Sequence, residues 1–578
     1  MNSIFRKMLK KTNKKDNLKV NQSKVFKLTL VSCFLLVFSP LFAQTFSDYD
    51  YDSNFNLDFD DSIESLSDFS YYEDFLSSFN RAKTLVILEP VRVHEMNPHI
   101  TQYSNDSFVL SSLYEGLFCY NPITLQPDYA LAENYKLSRD KKRCQITLRK
   151  NAKFSNGENI TSSSVRNSFI KLLSTPSAPY SSLLDIIEGA QEFRTGKGSA
   201  ADVGIYCLDD YTVSIHMKSP SNYLPSVLCH TSFCIVSEEE GVYSGPYELI
   251  DVSENCYFLK KNQNYWDASN TVMDDVIFYQ SDDSAENAYM LNIGFADWCT
   301  GDVDLNLTIN QTLSQVNAEF ATQFLFFRDS SKKAVKQKSK SVWDYKEFRN
   351  AVFEAFPWET LRVNRYVAAQ TLVYPLVGYP TVEGFSYTDE IEASKLMESA
   401  RKKYNIPKEQ VLPLYIEVPK NTFSEENKEA LKLALEPLGI EITITEINSY
   451  NYIAHMRSSN ADIFSYTWIG DFADPLAFLE LFRSNSSLND FGYSNEEFDS
   501  LLEKAAYVDS QTRYEILAQA ENVLLDDYYV FPISHPVSFN VIDLNSLGGW
   551  VNNAFDYHPI KYIFKKENTE RKPNLVRF

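Results

Sequence analysis

Between residues 411 and 469 two hydrophobic periods alternate, and this constrains the fold more than any other feature. Residues 411–418 read as a strand, 424–438 as an amphipathic helix, and 440–447 (IEITITEI) as an alternating strand. Residues 450–457 are again helical, and 462–469 are again a strand. Strands joined through helices favour parallel pairing, because a crossover helix packs back on the sheet. The stretch therefore predicts an α/β lobe with partly parallel strands. Upstream, residues 84–88 (TLVIL) and 146–148 read as strands, and 105–118 as a helix without proline. Ser155-Asn156-Gly157 signals a turn, Thr161 opens a capped helix, and 211–217 (YTVSIHM) alternates as a strand. No internal repeat is visible. With 578 residues the chain holds about three to five domain-sized units.

The N-terminus points to export. The first 27 residues hold nine Lys/Arg and one acid, Asp16. An apolar run follows (LTLVSCFLLVFSPLF, 28–42), then Ala43-Gln44. A basic start, a short apolar core and a small exit residue describe a secretory signal, and the run is short for a membrane span of ~20 residues. The expected cleavage follows Ala43. Alternatives are an uncleaved anchor and acylation of Cys33 in the lipoprotein-like box Leu30-Val31-Ser32-Cys33. Losing nine bases and one acid takes the net charge from −22 to −30. So acidic a chain excludes a non-specific nucleic-acid binder. Residues 45–80 mix acids and serines with Tyr and Phe and carry no base, which reads as a solvated, disordered spacer; a partner-binding tail is the alternative.

Seven cysteines follow Cys33: Cys119, Cys144, Cys207, Cys229, Cys234, Cys256 and Cys299. Export permits disulfides, the odd count leaves at least one thiol over, and spacing fixes no connectivity. Only 17 residues are glycine, and G-x-S-x-G, G-x4-G-K-[ST] and G-x-G-x-x-G are all missing. His94 and His99 are spaced one residue too far apart for a helical zinc pair, with Pro98 between them. The residues offer no positive case for an enzyme, a metal site or a cofactor; an exported α/β binding protein is the expectation.

Eight short motifs then occur in order: Met96-Asn97-Pro98-His99, LYEGL (113–117), AENY (132–135), LRKNAKFSNG (148–157), LDDYTV (208–213), SGPYEL (244–249), KNQNYW (261–266) and WIGDFADP (468–475). Together they resemble the oligopeptide/dipeptide solute-binding proteins of ATP-binding cassette importers (family 5 extracellular solute-binding proteins), oligopeptide branch, across residues 83–565. The resemblance implies an α/β, two-lobed periplasmic-binding-protein fold with three domains and a ligand cleft between the lobes. It implies domain I from 83–127, 239–315 and 531–566, domain II from 128–238 and domain III from 316–530. The signal peptide (1–43) and spacer (44–82) precede these, and a tail (567–578) follows. It also implies a monomer in the periplasm or on the outer face of the inner membrane. Such a protein captures peptides and delivers them to the membrane permease of the importer, with no cofactor, metal or nucleic acid.

Carried over by position, Asp471 pairs with the ligand α-ammonium, or instead caps the helix that follows Pro475. Thr467, Trp468 and Ile469 lie on a strand whose backbone pairs with the peptide, although Trp468 also reads as core. Tyr103 and Ser104 occupy the matching segment of domain I. Tyr180 matches an aromatic ligand contact, or is a surface-loop tyrosine, and Tyr450 lines a side-chain pocket. Arg457 matches a cleft arginine able to hold a ligand carboxylate through both nitrogens, or is a solvated helix-end residue. Three departures stand out. Ser465 replaces a second arginine, FLFFRD (324–329) lacks an Asn-rich strand end, and DYKEFRNAV (344–352) keeps only part of the next motif. Alternative readings are a binder of a nickel chelate, haem or oligosaccharide, and a surface adhesin or signalling receptor on the same scaffold.

Overall fold

A computed structural model describes Phe75 and residues 77–566, apart from 102–105, 222, 254, 336–339, 364, 366, 386, 471 and 509. The expected signal peptide, Cys33, most of the spacer and the tail lie outside the described residues.

The 411–469 pattern folds as its periodicity dictates. Strand Leu412–Pro419 leads into helix Glu425–Leu435, whose N-cap Ser424 accepts from Asn427 N–H, and Pro437 tightens the last turn into a 3-10 segment. Strand Ile440–Ile447 pairs parallel to Leu412–Pro419, and Ile463–Ile469 pairs parallel to it at Ile463 and Phe464. These strands form half of a six-stranded sheet, completed by Ala321–Phe327, Val530–His535 and the short edge Val367–Ala368.

A seven-stranded sheet centres on Thr84–Glu89, which runs parallel to Asp275–Gln280 and to Trp298–Cys299. Its remaining strands are Cys256–Lys261 and Tyr247–Ser253 on one side, Val537–Ile542 and Ser314–Ala318 on the other. A four-stranded antiparallel sheet joins Ala132–Leu137, Arg143–Leu148, Thr212–His216 and Ile205–Asp209. Between the two larger sheets the chain crosses twice, after Ala318 and after His535. The crossings are tied together: Glu319 N–H donates to the Pro536 carbonyl (3.1 Å) and Phe320 N–H to that of Ala554 (2.7 Å). The result is an α/β, two-lobed architecture with three domains and its cleft between the lobes.

The lobes meet across the cleft. Ser182 N–H donates to Ser487 Oγ (3.0 Å), Arg194 Nη2 donates to the Asn485 carbonyl (3.1 Å), and Tyr223 stacks on Phe472. Among the described residues no helix is long and apolar enough to cross a membrane, and all seven described cysteines are free thiols.

Two expectations need correcting. The helix expected over 105–118 ends at Leu113, because Glu115 forms a bridge with Ile235 and Phe118–Tyr120 becomes a strand. The end of the supposed disordered spacer is folded: Phe75 is buried against Phe258, Tyr279 and Phe295, and Phe79 stacks on Phe258. Aromatic side chains that cover a sheet face bury enough apolar surface to order their segment, whatever its charge.

His94 is held between two buried carboxylates. Its Nδ1 lies 2.9 Å from Asp106 Oδ1 and its Nε2 2.7 Å from Glu89 Oε1. Arg92 and Thr101 also contact Asp106, and Gln280 contacts Glu89. Burial lowers the imidazole pKa, but the hydrogen bonds to Asp106 and Glu89 outweigh it, so the pKa is raised. A histidine whose folded pKa exceeds its unfolded value stabilises fully below ~6.5 and loses that contribution as pH rises through the folded pKa. His94→Gln should therefore cost about 3 kcal/mol at pH 6, and the gap to wild type should narrow towards pH 9. Urea unfolding at several pH values checks this; a gap that widens with pH would show that His94 is neutral in the fold.

Candidate functional site: the cleft between the lobes

A cavity of about 410 Å³ lies where the two crossings, the seven-stranded sheet and the end of strand Ile463–Ile469 converge. That volume falls in the ~300–1,000 Å³ range of ligand sites. Strand Ile463–Ile469 is paired along its whole length with Ala321–Phe327 on one side. On the other side it is paired only at Ile463 and Phe464. Beyond Ser465, whose N–H donates to Tyr452 Oη (2.9 Å), that edge carries no strand among the described residues, and it is here that Thr467, Trp468, Ile469 and Gly470 line the cavity. Gly470 is required: a Cβ there would sit 2.3 Å from Phe320 Cε1.

An aromatic wall faces this edge. Trp468 is held by its indole N–H, which donates to the Ala477 carbonyl (2.8 Å), and its ring lies 6.1 Å from that of Tyr180. Tyr180 in turn sits 4.1 Å from the His230 ring. Burial lowers the His230 pKa to about 4, so the imidazole is neutral and belongs to the wall.

The end nearest the crossings is acidic. Glu319 lines it without a side-chain partner among the described residues, and burial followed by the charge of Asp556 pushes its carboxyl up to about 7. Asp556 accepts from Asn540 Nδ2 and His558 Nε2, both at Oδ1 and both at 2.9 Å. No lysine or arginine is among the described lining residues.

Of the residues expected at the site, Thr467, Trp468, Ile469 and Tyr180 come together here. Asp471, Tyr103 and Ser104 lie outside the described residues, and the Tyr450 side chain is not described. Arg457 is not brought to the cavity: its guanidinium forms a two-nitrogen pair with Asp490, at 2.9–3.1 Å. Sequence reasoning missed Glu319, Asp556, Ser538, His558 and His230. None sits in a family motif, and only the crossings bring the first four together.

Two hinged lobes around a cavity with an open strand edge define a ligand-trapping binding protein. The model of the bacterial extracellular solute-binding proteins, family 5, matches residues 126–490, and the chain belongs to that family. Over 471 residues it is 25% identical to the dipeptide-binding protein DppE of Bacillus subtilis, covering 76% of this chain and 84% of that one. It is similar to the structure of Haemophilus influenzae OppA in complex with RPPGFSPFR. The TM-score is 0.72 at 22% identity, over 84% of this chain and 99% of that one. The Escherichia coli murein tripeptide binding protein MppA matches at 0.70 (20% identity, 83% and 98% covered), but its unliganded open form at only 0.57 (19%, 84% and 98%).

Proposed function

We propose that this protein is the exported solute-binding subunit of an ATP-binding cassette importer. It traps peptides between its lobes and delivers them to a membrane permease. The observation that carries this reading is the open strand edge at Thr467–Gly470 inside the cavity. A peptide laid there satisfies its backbone groups as an added strand, without its side chains being read. The names of the relatives, family membership and the cross-lobe hydrogen bonds point the same way. On this reading Asp471 holds the ligand α-ammonium, Trp468 and Tyr180 pack on the peptide, and Tyr103, Ser104 and Tyr450 complete the walls. Arg457, already paired with Asp490, reaches a ligand carboxylate only by giving up that partner, so its carried-over role has the least support.

The protein acts as a binder rather than an enzyme, as a monomer, and reaches the periplasm by cleavage after Ala43 or stays anchored through Cys33. Sheet membership favours moving the proposed boundaries of domain III from 316 and 530 to the crossings at Glu319 and Pro536.

A ligand that binds only the folded state stabilises it by mass action, by about 2.7 kcal/mol at 100 times its dissociation constant. Scanning calorimetry with a pool of random tri- to pentapeptides should show the midpoint rising with concentration. An unchanged midpoint at millimolar peptide would count against peptides as ligands.

A further inference from the structure

A cluster of polar contacts crosses the seam between the lobes at one place. One side is the 3-10 segment Pro179–Ile186, and the other is the loop that carries Asn485, Ser486 and Ser487. Ser487 Oγ donates to the Pro179 carbonyl and accepts from Ser182 N–H (3.0 Å). Ser182 Oγ lies 3.1 Å from Ser486 Oγ, and Arg194 Nη2 donates to the Asn485 carbonyl (3.1 Å). Each half is built within its own lobe. Ser181 Oγ donates to the Ala178 carbonyl, and Arg194 is gripped by both oxygens of Asp185. In the loop, Asn489 Nδ2 donates to the carbonyls of Arg483 and Tyr493, and Asp499 accepts from Ser484 N–H. The two surfaces are therefore preformed, and joining them orders little that is not already ordered.

The 3-10 segment also carries Tyr180, which lines the ligand cavity. Ser487 holds the carbonyl of the residue just before it, so the turn that meets the ligand is the turn that the opposite lobe grips. Beside these contacts the lobes enclose a separate cavity of about 360 Å³, in whose wall Tyr223 stacks on Phe472.

We propose that Ser487, with Ser182, Ser486 and Arg194, forms a clasp that is made only when the lobes are shut and that sets how long the ligand stays. These are positioning residues: none of the four is among the described lining residues of the ligand cavity. Contacts made in one state alone bias the equilibrium towards it, and apparent affinity scales with the population of the state that holds the ligand. The inference rests on the peptide-trap reading and assigns the residues that keep the trap closed.

Stopped-flow tryptophan fluorescence with trialanine, analysed for both rate constants, tests it. Ser487→Ala should raise the dissociation rate about tenfold, the upper range for lost hydrogen bonds between neutral groups. Association should stay within about twofold, because peptide enters the open form, in which the clasp is unmade. Ser182→Ala, which loses only the contact with Ser486, should raise dissociation about threefold. Ser487→Thr, which keeps the hydroxyl, should restore slow release. The unfolding midpoint of the ligand-free protein should be the same in all four proteins. Unchanged dissociation in both alanine variants would overturn the clasp and leave the peptide reading intact. So would a lowered ligand-free midpoint, or equal losses in both rates, since the serines would then merely support the fold. A wild type that binds neither trialanine nor the tri- to pentapeptide pool would overturn the peptide reading and the clasp's role with it.

Discussion

Asp471→Asn should weaken peptide binding by roughly 30- to 5,000-fold, the 2–5 kcal/mol typical of stranding one charge of a desolvated pair. The proposed role sets that carboxylate against the ligand α-ammonium in a closed, water-poor cleft. Asparagine keeps the side-chain shape, and the first N–H of the following helix is held by Asp474, so the fold should survive. Acetylating the peptide amino terminus should cost wild type a comparable factor and the variant far less. Titration of both proteins with both peptides closes a double-mutant cycle. Additive losses would show that Asp471 is a helix cap and that the ammonium is held elsewhere, Glu319 being the next carboxylate to test.

The second large effect concerns stability. Lys561, from the C-terminal segment, donates its Nζ to Glu115 Oε1 (2.6 Å) and to Tyr265 Oη (3.3 Å), while Tyr265 donates to Glu115 Oε2. The Trp266 indole N–H points at the same carboxylate, and Arg149 stacks over its ring at 3.8 Å. The Lys561 and Glu115 side chains are only 8% and 4% exposed, so water cannot replace a lost partner. Burial alone would lower the lysine pKa; the charge of Glu115 reverses this and raises it well above the ordinary value. Lys561→Met should therefore cost about 3–5 kcal/mol, because it leaves the Glu115 charge buried and unpaired. Glu115→Gln should cost a similar amount. A protein with both substitutions should be more stable than either single variant, since the stranded charge is gone. Urea unfolding of the four proteins measures this. Single substitutions costing under 1 kcal/mol would mean that the pair is solvated.

Much of this architecture is written locally. The strands and helices between 411 and 469 fall within three residues of where periodicity puts them, because each buries a face with its own period. The eight motifs point to the family, and WIGDFADP marks the strand edge that lines the cavity. Contacts between distant segments were not legible. Asp490 claims Arg457 from a loop that no spacing rule connects to it. Glu115 ends a helix early because its partners, Ile235, Tyr265 and Lys561, come from elsewhere in the chain. Glu319 reads as one more acid in an acidic chain until Pro536, Asp556 and the cavity surround it. The cysteine count left disulfides open, and only the fold shows seven separate thiols.

The central claim is that the cleft is a peptide trap, and its most direct test is what the protein already carries. Native protein from its own host should be purified without a denaturing step, and its bound ligand released by acid and identified by mass spectrometry. The account predicts short peptides with free amino termini. A metal chelate, haem or glycan in the cleft, or an empty cleft that added peptides fail to fill, would contradict it.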